Sequence, residues 1–233
     1  MAQAAGDRLP SYVTREQARA ILNVAATTTH RLLLETLWQS GERVTEVLRL
    51  RPCDLDPGGP LLHLVNLKQR PPRGGHLARK AVIVSPDLVA ALRALSNDAH
   101  ITYDGYFFRS HKSQGRPMSY GHCWRLIRQY AVVAGVNVVG AEGSVRPATG
   151  RDFRHGAAVN QVRQGVPLSE VQQQLGHARI DTTTIYTKLA ARERLKFSSC
   201  GICLHAWRKK NTPNAVTHPG RISDHRYRRV RTI

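Results

Sequence analysis

A mainly α-helical domain with one small antiparallel sheet, an α+β arrangement, is the fold class this sequence predicts, and three observations predict it. Thr14-x-x-Gln17 has the spacing of a capping box and opens a helix through "REQARAILNVAA". "HRLLLETLWQS" (30–40) repeats Leu and Trp at helical spacing and stops at Gly41, a residue suited to a helix C-cap. "LLHLVNL" (61–67) and "KAVIVS" (80–85) are short and β-rich, and the intervening "PPRGG" fits a hairpin with a long turn.

The remaining elements follow in order. "ERVTEVLRL" (42–50) reads as a helix ended by Pro52, and "SPDLVAALRALSN" (85–97) starts another with Ser or Pro in its first turn. "SYGHCWRLIRQYAVVAG" (119–135) has helical periodicity and a glycine end. "DFRHGAAVNQVRQG" (152–165) and "LSEVQQQLG" (168–176) form a helix pair broken at Gly165 and Pro167, and Asp181 can cap a last helix that carries Tyr186. The expected organisation is a short extension over 1–13, one domain over 14–198, and a basic tail over 199–233 rich in Arg, His and Pro.

Lys and Arg number 35 against 16 Asp and Glu, a formal net charge of +19. So basic a chain predicts a polyanionic partner, nucleic acid ahead of an acidic membrane face. The start lacks the pattern of a secretory signal, and "AVVAGVNVVGA" (131–141) is too short and interrupted to span a bilayer. Four cysteines do not make a disulfide framework, so the expectation is a soluble protein of a reducing cytoplasm.

Four separated pieces carry chemistry together. "SGERVTEVLRL" places Arg43 at a helix start with Glu46 one turn on; "LVNLKQR" places Lys68 where the first strand enters its turn; "GRDFRHGAA" places Arg154 beside His155; "LGHARIDTTTIYTKL" holds His177 and Tyr186. Guanidinium forks bind two non-bridging phosphate oxygens each and keep their charge. A tyrosine of pKa about 10 attacks phosphorus once its proton is removed or its phenolate is stabilised by cations. A lysine can protonate the departing oxygen, and a histidine can orient the phosphate. Such a set performs phosphodiester transfer with no metal or other cofactor.

These boxes resemble the tyrosine recombinase (phage integrase) family, over roughly residues 14 to 190 and in the family's order. The resemblance implies the catalytic-domain fold of that family. It implies that Tyr186 attacks one strand of a specific duplex DNA site, forming a 3′-phosphotyrosyl link and a free 5′-OH, with strand exchange in a homotetramer on DNA. It assigns Arg43 and Arg154 to the two family arginines, His177 to the third-box histidine and Lys68 to the hairpin lysine, with Lys80 as the alternative. Glu46 and Asp152 become supporting acids and His155 a supporting residue. The implied place is the bacterial cytoplasm, on nucleoid or plasmid DNA.

Three departures stand out. The first-box leucine is Glu42, which adds charge beside the arginine. The first histidine of the family's H-x-x-R falls on Arg151, which donates but cannot accept a proton. The family's amino-terminal helical domain has no counterpart within residues 1–13, as in the fimbrial-switch recombinases. A DNA-binding protein descended from such enzymes, weakened at Arg151, is therefore the alternative reading. Tyr106 reads as a half-buried surface residue, and His30, His76, His100 and His111 as ordinary ones. Cys200, Cys203 and His205 hold at most half a zinc site, so no metal is expected.

Overall fold

The computed structural model describes residues 10–67, 77–110, 112–113, 115–140, 143–176 and 181–198. Its elements are α1 (Arg15–Asn23), α2 (Thr28–Ser40), α3 (Val44–Val47), β1 (Leu61–Val65), β2 (Arg79–Ile83), α4 (Pro86–Asp98), α5 (Tyr120–Val133), β3 (Asn137–Val139), β4 (Val145–Pro147), α6 (Gly150–Arg163), α7 (Leu168–Leu175) and α8 (Asp181–Ser198), with a 3₁₀ turn at Pro52–Asp54. The chain divides into two compact units, Met1–Glu193 and Arg194–Ile233. Among the described residues no helix is long and apolar enough to cross a membrane.

Helix starts follow local chemistry. Thr14 accepts from the Gln17 amide while Gln17 Oε1 accepts from the Thr14 amide, completing the capping box. Ser85 and Ser119 cap α4 and α5 in the same way, accepting from Leu88 N and His122 N. Gly41 ends α2 at φ +63°, a left-handed position that favours glycine. The expected helix over 42–50 is shorter: Arg43 is extended and serves as the N-cap, so only Val44–Val47 are α-helical. A second antiparallel pair, β3 with β4, lies where none was expected, with Val138 opposite Arg146.

The core is built from α2, whose Leu33, Leu34 and Leu37 are fully buried, with Ile21, Leu50, Leu62, Leu64, Leu92, Ile127 and Phe153. A smaller cluster gathers Ala158 and Val159 of α6, Val171 and Leu175 of α7, and Tyr186, Leu189 and Ala190 of α8. The chain entering α1 is tied to α6: Val13 is buried and its amide donates to Asp152 O at 3.1 Å.

Asp152 anchors this junction. Its carboxylate accepts from Arg146 Nη1 and Nη2 (2.8 and 3.0 Å), Ser11 Oγ (2.6 Å), Thr149 N (2.8 Å) and Thr149 Oγ1 (2.6 Å). Burial alone would raise its pKa, but Arg146, then Ser11 and Thr149, outweigh that and lower it. A depressed carboxyl pKa contributes stability above the unfolded value, lost as pH falls through the folded one. Asp152→Asn is thus expected to cost on the order of 2–3 kcal/mol at pH 7, as lost charged hydrogen bonds do. The gap to wild type should narrow as the pH is lowered below about 4, which urea unfolding at both pH values checks.

Candidate active site

Tyr186 lies on the second turn of α8, 1% exposed among the small cluster's apolar side chains. Its hydroxyl is 3.0 Å from Nδ1 of His155, and the two rings meet at 5.8 Å between centroids. Burial raises the phenol's pKa, and the charges of Arg154 and then Arg151 partly offset this. Arg151 itself is exposed on the first turn of α6.

Arg154 comes from the same turn of α6 as His155 but is buried. Its Nη1 donates to Gly41 O (3.0 Å) and its Nη2 to Leu175 O (2.6 Å), so one guanidinium joins the ends of α2 and α7. Nη1 also lies 3.5 Å from Glu42 Oε2. Burial lowers the arginine's pKa, with Glu42 opposing and Arg43 reinforcing that effect. Arg43 projects from the start of α3, less buried, with Nη1 3.0 Å from Glu46 Oε1.

Lys80 completes the cluster. It faces Leu64 in the hairpin register and shares a strand face with the buried Val82. Its ammonium lies 2.5 Å from Glu42 Oε2, 3.7 Å from Glu46 Oε2 and 3.3 Å from Gln174 O. The hairpin is therefore pinned to the first box and to the end of α7, beside Gly176. That glycine, at φ +63°, turns the chain out of α7.

Arg43, Arg154, Glu46, His155 and Tyr186 are thus gathered in one region, with Arg151 at its edge and Asp152 bracing the start of α6. Lys68, His177 and the tail's Cys200, Cys203 and His205 lie outside the described residues. Sequence reasoning saw Glu42 only as an added charge; the structure makes it the shared partner of Lys80 and Arg154. An acid at an apolar first-box position, inside a set of cations, was the available signal. Arg146 and Gln174, whose Nε2 donates to Ser40 O at 2.8 Å, carried no such signal.

Fold and site together define a helical domain that holds a tyrosine against histidine and arginine, beside a hairpin lysine. The chain belongs to the phage integrase family, whose model matches residues 11–193, and it is a tyrosine recombinase. It is 31% identical over 215 residues to a resolvase of Escherichia coli, covering 82% of this chain and 80% of the relative. It is 28% identical to the tyrosine recombinase XerA of Thermococcus kodakarensis, covering 78% of this chain and 59% of that protein. Among solved structures, XerA recombinase superposes with a TM-score of 0.63 at 22% identity, over 92% of this chain and 68% of that one. XerH bound to a palindromic difH substrate after cleavage gives 0.66 at 18% identity, over 85% and 55%. At such identities these two structures support the fold.

Proposed function

We propose that this chain binds duplex DNA at a specific recombination site and that Tyr186 attacks the scissile phosphate, leaving a 3′-phosphotyrosyl bond and a free 5′-OH. The observation that carries the reading is the 3.0 Å approach of the Tyr186 hydroxyl to His155 Nδ1, beside Arg154. With Nδ1 unprotonated the phenol donates to it, so His155 is the proton acceptor where the family's histidine is replaced by Arg151. Arg151 contributes charge, which favours the phenolate.

Arg43 and Arg154 hold the non-bridging oxygens, whose charge grows in the transition state. Lys80 is the acid for the leaving 5′ oxygen, a role that its contacts with the first box and the end of α7 support; Lys68, the motif's other candidate, lies outside the described residues. His177, next after Gly176, is assigned to the phosphate by the family motif. Each chain offers one such nucleophile, and two duplexes present four strands, so complete exchange needs a homotetramer on DNA. The net charge of +19 supports the DNA partner. The Escherichia coli relative, named a resolvase, supports resolution as the outcome; nucleoid or plasmid DNA in the cytoplasm is the place the family resemblance implies.

Covalent trapping tests this. Wild type is incubated with nicked fragments from its own genetic neighbourhood, without metal or ATP, and SDS-resistant complexes are scored. Wild type should form the adduct, Tyr186→Phe none, and His155→Asn should form it on the order of a hundredfold more slowly. An adduct that survives in Tyr186→Phe would move the nucleophile elsewhere. Salt-sensitive binding with no adduct would leave the DNA-binding protein as the better reading.

A further inference from the structure

Behind Lys80 lie two carboxyl groups, both 0% exposed, that the cleavage chemistry above does not use. Glu42 Oε2 is taken by Lys80 at 2.5 Å and approached by Arg154 at 3.5 Å, and Glu46 Oε1 is taken by Arg43 at 3.0 Å. The other oxygen of each acid, Glu42 Oε1 and Glu46 Oε2, is buried with no hydrogen-bond partner among the described residues. Orphaned carboxylate oxygens cost free energy, and two acids on one ammonium repel each other. A single proton held between them removes both costs, because a protonated carboxyl becomes a donor.

We propose that Glu42 and Glu46 share one proton, and that this pair both positions Lys80 and recharges it after it has protonated the leaving 5′ oxygen. The step balances. As the P–O5′ bond breaks, an N–H bond of Lys80 breaks and an O5′–H bond forms. The neutral amine, far more basic than a carboxylate, then takes the shared proton and leaves two carboxylates around an ammonium. On rejoining, the 5′-OH returns its proton by the same route, so no external acid is consumed over the cycle.

Among the described residues, the charges that face the pair are consistent with this. Lys80 approaches from β2, Arg154 from α6 and Arg43 from the start of α3, while α7 presents the carbonyls of Gln174 and Leu175 to Lys80 and Arg154. Burial raises the Glu42 carboxyl to about 7 despite Lys80. Glu46 goes the other way: burial would raise it, but Glu42, Lys80 and Arg43 together lower it. The proton therefore resides on Glu42 and is donated to Glu46.

The first test uses the free protein, so it does not depend on the recombinase reading. Glutamate carboxyl carbons are labelled with ¹³C and followed by NMR against pH, with Glu42→Gln and Glu46→Gln for assignment. One carboxyl should stay protonated up to about pH 7, and that titration should be absent from Glu42→Gln. If both acids titrate in the ordinary carboxylate range, the shared proton is excluded.

The second test rests on Lys80 being the acid, as proposed above. It uses the site recovered by trapping, with the 5′ bridging oxygen either intact or replaced by sulfur, whose thiolate leaves without protonation. Lys80→Ala should slow cleavage of the oxygen substrate on the order of a hundredfold or more and be restored on sulfur. Glu42→Gln should slow the oxygen substrate about tenfold more than the sulfur substrate, one pKa unit's worth, because its contact with Arg154 serves both substrates alike. Equal slowing of Glu42→Gln on both substrates would mean that Glu42 only supports the fold, and would overturn its role toward Lys80. Failure of sulfur to restore Lys80→Ala would remove both the acid and its store, leaving only what the titration shows.

Discussion

Arg154→Ala is expected to lower the single-turnover cleavage rate by about a thousandfold, the effect of removing one preorganised donor from a transition state that gathers charge. Two effects combine here, and both point the same way. The guanidinium is lost from the phosphate site, and the carbonyls of Gly41 and Leu175 lose a buried donor. Each unpaired buried carbonyl costs about 1–3 kcal/mol, so the ends of α2 and α7 should loosen, and with them the turn that begins at Gly176.

Arg154→Lys separates the two. An ammonium keeps the charge but reaches one carbonyl or the phosphate, not the whole set, because it has no planar fork. We expect its cleavage to fall on the order of a hundredfold, within reach of the alanine variant. DNA binding should persist in both variants, since non-specific affinity is spread over many cations. Cleavage rate, filter binding and thermal unfolding on the same preparations check this. A lysine variant with near-normal cleavage would show that charge alone suffices at this position.

The sequence made most helices legible because their starts are written locally. Thr14, Ser85 and Ser119 bond amides three residues ahead, and short spacings suffice to see them. Strands β3 and β4 are only three residues each, too short for a two-residue period to register. The start of α3 was misplaced because helical spacing of apolar residues does not reveal that Arg43 is extended.

The site was legible as an ordered set of motifs, not as contacts. His155 and Tyr186 stand 31 positions apart, and Lys80 and Glu42 stand 38 apart, so only tertiary packing brings each pair together. In "KAVIV", Lys80 alternates with Val82 and Val84, both buried, which places the lysine on the inward face of its strand. Lys68 is assigned by its place in the family motif and lies outside the described residues.

Gly156→Ala should be the most damaging of the small substitutions. Alanine is favoured over glycine in a helix interior by about 1 kcal/mol, so propensity alone predicts a gain from this change in α6. Space predicts the reverse. A β-carbon at this position would overlap the backbone carbonyl of Val13 and come to 2.9 Å from Trp38 Cζ3. Backbone cannot step aside as a side-chain tip does, and Val13 is held by its own amide bond to Asp152 O. The cost of overpacking reaches about 3 kcal/mol and more where backbone must shift, which outweighs the propensity term. A net loss of about 2 kcal/mol corresponds to roughly 4–8 °C in Tm for a chain of this size. Function should suffer as well, because Arg154 and His155 are the two residues before Gly156 and would be displaced with the helix. Thermal unfolding and covalent trapping of Gly156→Ala would read both effects. Unchanged stability would mean that α6 and the chain entering α1 do not pack this closely.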